Sequence, residues 1–103
     1  MTLTSKQRAY LKSLAMVMDP VLQIGKGGLT PEVTEAIAEA LAARELIKIN
    51  VLQNCEWDAS DMAQTAAERT RSQVVQVIGR KIVLYKEGKD DKKKIELPPV
   101  KKN

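Results

Sequence analysis

The chain has 103 residues, 44% of them hydrophobic and 29% charged, which sets a single globular domain with one modest core as the expectation. No apolar run approaches the roughly 18 residues of a membrane span. The absence of histidine and the single cysteine exclude a disulfide and strip out the commonest general base and metal ligand. The net charge of +4 is a weak guide to partners. Residues 86–103 carry seven lysines against four acids, so the first 85 residues are nearly balanced.

In chain order, the polar and basic start "MTLTSKQRAY" predicts no secretion signal, and the lone Cys55 fits a reducing, cytoplasmic setting. The spacing of Leu11, Leu14, Ala15 and Met18 predicts a helix over 4–18, capped by Thr4 or Ser5 and ended by Asp19-Pro20. Lys6, Arg8 and Lys12 lie off its apolar stripe, as either a phosphate-contacting face or an ordinary solvated one. A short strand over 21–25 leads into the turn Gly25-Lys26-Gly27-Gly28. Thr30 then caps a second helix over 31–43, with Pro31 at its first position and Val33, Ile37, Ala40 and Leu41 inward.

Alternation of Ile47, Ile49 and Val51 with Lys48 and Asn50 predicts a strand over 45–53 with one covered and one wetter face. A third helix runs from a cap at Asp58 or Ser60 to about Thr70, turning Met62, Ala63, Ala66 and Ala67 inward. Residues 74–86 form a hairpin about Gly79-Arg80, where glycine at the first turn position suits type II′. The order is helix-strand-helix-strand-helix-strand-strand, an α/β fold with a mixed four-stranded sheet packed with helices. Residues 1–86 make the domain, and 87–103 a charged, mostly flexible tail with one apolar patch at Ile95 to Leu97.

The glycine turn is the one candidate for chemistry. It cannot supply the P-loop pattern, and the dinucleotide pattern needs glycine where Thr30 stands. It does read G-x-x-G, the loop by which K-homology domains clamp a nucleic-acid backbone. Without Cβ atoms, backbone N–H groups can approach phosphate oxygens, Lys26 adds a mobile charge, and the start of the second helix adds unpaired N–H groups. The competing reading is a tight strand-to-helix turn with no ligand. Arg69, Arg71, Arg80 and Lys81 offer either a second basic area or helix-end and turn charges; Trp57 offers either a stacking ring or a satellite core contact. With no Phe, one Trp and two Tyr, RNA binding by stacking bases across a sheet is disfavoured.

Three stretches, "LKSLAMVMDPVLQIGKGGLTPEV", "ARELIKINV" and "VQVIGRKIVLYK", resemble the CRM domain, the chloroplast RNA splicing and ribosome maturation family, and its bacterial single-domain YhbY-like members. The match spans about residues 3–97. The resemblance implies a K-homology-like fold, similar to the C-terminal domain of bacterial translation initiation factor three with an added N-terminal helix. It implies an RNA-binding G-x-x-G loop at Gly25, Lys26, Gly27 and Gly28, and association with precursor large ribosomal subunits. Many members carry a histidine near the end of the first helix, where Met16 stands here, so no contact of that histidine transfers.

The expectation is a monomeric, cytoplasmic, non-enzymatic RNA-binding protein with no cofactor, no metal and no membrane. Its partners would be ribosomal RNA and ribosomal proteins. Gly25, Lys26, Gly27, Gly28 and Thr30 form its site, extended by Lys6, Arg8 and Lys12 if the first helix lies beside the loop. The alternative is a protein-interaction adaptor in ribosome assembly or translation. A phosphotransfer enzyme is opposed by the missing P-loop and the missing histidine.

Overall fold

Local chemistry sets each helix end. In the structure, a computed structural model that describes residues 3–88 and 95–98, Thr4 and Gln7 form a reciprocal capping box that opens α1 (Ser5–Ala15). The helix stops three residues before the expected Met18. Met16 and Val17 are 80% and 89% exposed, so no core contact extends the helix there. The chain must also turn extended ahead of Pro20 to reach β1 (Leu22–Ile24).

Thr30 accepts a hydrogen bond from the Val33 amide at 3.1 Å and opens α2 (Pro31–Arg44), with proline in its first turn. After β2 (Leu46–Val51), Asp58 accepts from the Asp61 amide at 3.2 Å and caps α3 (Ala59–Thr70). The hairpin is β3 (Gln73–Ile78) and β4 (Lys81–Tyr85). Of its two turn residues only Gly79 has a positive φ, +57°, as a type II′ turn requires.

The strands lie in the order β1-β2-β4-β3. β1 runs parallel to β2 with Ile24 opposite Val51; β4 is antiparallel to both β2 and β3. The sheet is mixed and four-stranded, as expected. The hairpin folds back so that β4, not β3, takes the place beside β2.

Alternation along the inner strands then assigns two cores. Ile47, Ile49, Val51, Ile82 and Leu84 face α2 and α3, packing on Ile37, Leu41, Met62 and Ala66. Leu46, Val83 and Tyr85 point the other way, onto Leu3, Leu11 and Ala15 of the N-terminal segment and α1. β4 is thus buried on both faces, which explains its continuous apolar run.

The second core draws in the chain beyond the hairpin. Ile95 and Leu97 pack against it, and Gln7 Nε2 donates to the Pro98 carbonyl at 3.0 Å. The receptor is Glu45, whose side chain is buried: Oε1 accepts from the Ile95 amide at 2.8 Å and Oε2 from the Gly88 amide at 2.5 Å. Residues 95–98 are therefore docked on the domain, a departure from the expected mostly flexible tail; residues 89–94 and 99–103 of that tail lie outside the described residues. The apolar side chains of Ile95 and Leu97 supply the reason, since α1 leaves part of this sheet face open to them.

Tyr85 lies beneath this layer, fully buried, and its hydroxyl has no hydrogen-bond partner among the described residues. Burial, then the nearby charges of Glu45 and Glu87, pushes its pKa from 10.0 up to about 12. The folded state holds that proton more tightly than the unfolded chain. Stability is therefore intact below pH 10 and falls as pH rises from there toward 12. Tyr85→Phe removes this contribution, so its stability should fall less steeply than that of the native chain over that window when urea unfolding is followed as a function of pH.

Candidate nucleic-acid interface

Topology alone gathers the loops of interest. β1 and β2 are parallel and end side by side, and antiparallel β4 begins at that same end. The glycine turn after β1, the connection after β2 and the β3–β4 turn therefore share one rim of the sheet. Backbone hydrogen bonds lace them together: the Leu52 amide donates to the Ile24 carbonyl at 2.8 Å, and the Val51 amide to the Arg80 carbonyl at 2.7 Å. Arg80 Nη1 also donates to the Leu52 carbonyl at 3.3 Å.

Within the turn, the Gly28 amide donates to the Gly25 carbonyl at 3.0 Å and the Thr30 amide to the Gly28 carbonyl at 3.1 Å. Those two amides are consumed by the loop's own shape. The amides of Lys26 and Gly27, at the tip, make no hydrogen bond with any described residue. Both tip residues are exposed, and the Lys26 side chain pairs with no described residue. Two N–H donors and one ammonium group thus face water at the same apex.

Gly28 explains why the turn keeps this shape. Its φ is +66°, and a Cβ there would stand 2.6 Å from Trp57 Nε1. The face of the Trp57 indole at Nε1 lies over the bare glycine, a contact no other residue type permits. Gly25 and Gly27 are less constrained, since a Cβ at Gly27 would meet only Thr30 Cγ2 at 3.4 Å. Arg69 Nη1 holds the next residue, donating to the Leu29 carbonyl at 3.2 Å. An open groove of about 610 Å³ runs beside the turn between α2 and α3, lined in part by Leu29, Thr34 and Arg69.

The start of α2 contributes less than its position suggests. Pro31 has no N–H, the Val33 amide is capped by Thr30, and the Thr34 amide donates to the Thr30 carbonyl at 2.9 Å. Glu32 keeps a free amide but brings a carboxylate with it. Thr30 acts here as the residue that shapes the turn, with one hydroxyl proton left to donate.

Lys6, Arg8 and Lys12 are not brought to the loop. α1 packs on the sheet face opposite α2 and α3, against Leu46, Val75, Val83 and Tyr85, whereas Leu29 of the loop belongs to the α2–α3 core. Arg8 is also engaged. Its guanidinium donates to the Val74 and Val75 carbonyls of β3, at the sheet edge farthest from β1. The apolar stripe of α1 fixes which side of the helix is buried, but not which face of the sheet receives it. Arg80 and Lys81 do reach the rim beside Lys26, Lys81 with Nζ 3.5 Å from Asn50 Oδ1. Their signal in the sequence was the hairpin turn itself, since a strand antiparallel to β2 must begin where β1 ends.

Comparison with known proteins agrees with this architecture. The family model of the CRS1/YhbY (CRM) domain matches residues 3–86. The "Probable RNA-binding protein YqeI" of Bacillus subtilis is 54% identical over 96 residues, covering 93% of this chain and 99% of that one. An "RNA-binding protein" of Haemophilus influenzae is 36% identical over 97 residues, covering 94% and 96%. The solution structure of the hypothetical protein SAV1595 from Staphylococcus aureus superposes with a TM-score of 0.79 at 52% identity, covering 94% of this chain and all of that one. The same three helices and mixed sheet, read along nearly the whole length, place the chain in the CRS1/YhbY (CRM) domain family.

Proposed function

We propose that this chain is a non-enzymatic, monomeric RNA-binding protein of the cytoplasm, which grips ribosomal RNA by its backbone during large-subunit assembly. The observation that carries the reading is the apex of the glycine turn: the unspent amides of Lys26 and Gly27 beside the exposed Lys26 ammonium group. Such a group of donors suits the non-bridging oxygens of a phosphodiester. The printed names of the relatives from B. subtilis and H. influenzae support RNA as the ligand, and the ribosomal setting is what the resemblance of the three sequence stretches implies.

Gly27→Asp separates gripping from folding. It adds a carboxylate at the apex where a Cβ meets only one methyl group, so its unfolding midpoint should stay close to that of the native chain. Its affinity for ribosomal RNA should fall by about tenfold or more, the worth of a strong charge-assisted contact turned repulsive. Lys26→Ala should lower the slope of log affinity against log salt by about one unit or less. Filter binding across a salt series reads both, and native-like binding by Gly27→Asp would reject the turn as the site. In cells, crosslinking followed by sequencing of the attached RNA should recover large-subunit ribosomal RNA. If association with ribosomal particles or proteins survives nuclease treatment, the adaptor reading takes precedence.

A further inference from the structure

The turn is built around a ring that its backbone chemistry does not need. Trp57 is the single tryptophan of the chain. One face of its indole rests over Gly28 at Nε1, and the residue remains 38% exposed at the rim. Part of the ring therefore stays in water, whereas Tyr85 is fully buried. Of the other aromatic residues, Tyr10 lies on α1, across the sheet from the loop's core, and Tyr85 is buried. Trp57 is thus the only aromatic surface among the described residues that stands beside the phosphate-binding apex.

Charge sorts what could rest there. Lys26 and the free amides belong to the turn on which the ring rests, whereas Glu56 and Asp58 flank the ring in the chain. Asp58 is occupied as the cap of α3, and Glu56 is exposed. An anionic phosphate is drawn to the turn and repelled by the acidic flanks. A neutral base has no such preference and gains most from an aromatic face. We infer that Trp57 is a stacking platform for one unpaired RNA base, whose adjoining phosphate sits on the Lys26–Gly27 apex. The RNA element taken by this loop is therefore single-stranded, because a base held in a duplex has both faces covered by its neighbours.

This inference rests on the loop reading above, and the test keeps the two apart. With one tryptophan, the intrinsic fluorescence of the intact protein reports on Trp57 alone. Titration with a short oligo(U) strand should quench that emission saturably and shield the ring from acrylamide, while a blunt RNA duplex of similar length should do neither. Trp57→Leu should weaken oligo(U) binding roughly 5- to 150-fold, the range for losing one base–aromatic stack, while Trp57→Phe should retain most of the affinity. Should Trp57→Leu disturb the turn, the quenching and shielding of the native protein still decide the matter. Oligo(U) bound with unchanged emission, or as tightly by Trp57→Leu as by the native chain, overturns the platform. If Gly27→Asp weakens binding in that case, the loop reading stands without it. Failure of the native protein to bind either RNA removes both.

Discussion

Gly28→Ala is expected to lower folding stability by about 2–4 kcal/mol, adding the cost of a side chain in the left-handed region to the cost of overpacking against an aromatic ring. The two terms have separate origins here. The φ of +66° penalises any L-residue with a Cβ, and the 2.6 Å approach to Trp57 Nε1 penalises this one further. Trp57 can relieve the clash only by leaving the glycine, which frees the turn that it holds. The variant should therefore show a blue- or red-shifted tryptophan emission in the folded state as well as an earlier urea midpoint. Gly27→Ala, whose Cβ would meet only Thr30 Cγ2 at 3.4 Å, is the control and should shift the midpoint little. Equal stability of the two variants would show that the Gly28–Trp57 contact does not shape the loop.

The second large effect is expected at Glu45. Glu45→Ala should cost about 1–3 kcal/mol, because it strips the acceptors from the part-buried Gly88 and Ile95 amides, which water then satisfies only in part. The backbone at this residue adds a distinctive signature. Its φ is +65°, so Glu45→Gly loses the same acceptors but sheds the left-handed strain, and should be more stable than Glu45→Ala by about 1 kcal/mol. Hydrogen exchange at the amides of Gly88 and Ile95 should accelerate in both. Unchanged protection at those amides would mean that apolar packing of Ile95 and Leu97, not the carboxylate, holds the segment in place.

These two residues also mark where the sequence stopped being readable. Helix starts were legible because each carries its own chemistry: Thr4 with Gln7, Thr30 with Pro31, and Asp58. Inward faces were legible because burial follows the period of the element, and the four alanine and methionine positions of α3 lie where the spacing put them. Pairing was less so, since an apolar run such as that of β4 does not say which neighbour it joins. Nothing local distinguished Glu45 from a solvated strand-end acid; its partners are 43 and 50 residues away. Likewise the apex at Lys26 and Gly27 was legible from the glycines, but the ring that shapes it comes from a separate loop. The distribution of cations among faces depended on the placement of α1, which periodicity leaves open.

Arg8 has a consequence beyond its own helix. β3 is an outermost strand, and outermost strands carry carbonyls that can recruit a strand from another molecule. The irregularity between Val74 and Gln76 already breaks the regular spacing of those groups, and the guanidinium from α1 occupies the carbonyls beside it. A foreign strand arriving at this border would have to displace a cation of the fold's own first helix from the Val74 and Val75 carbonyls before it could pair there. The N-terminal helix thus guards a border of the sheet that it does not itself extend.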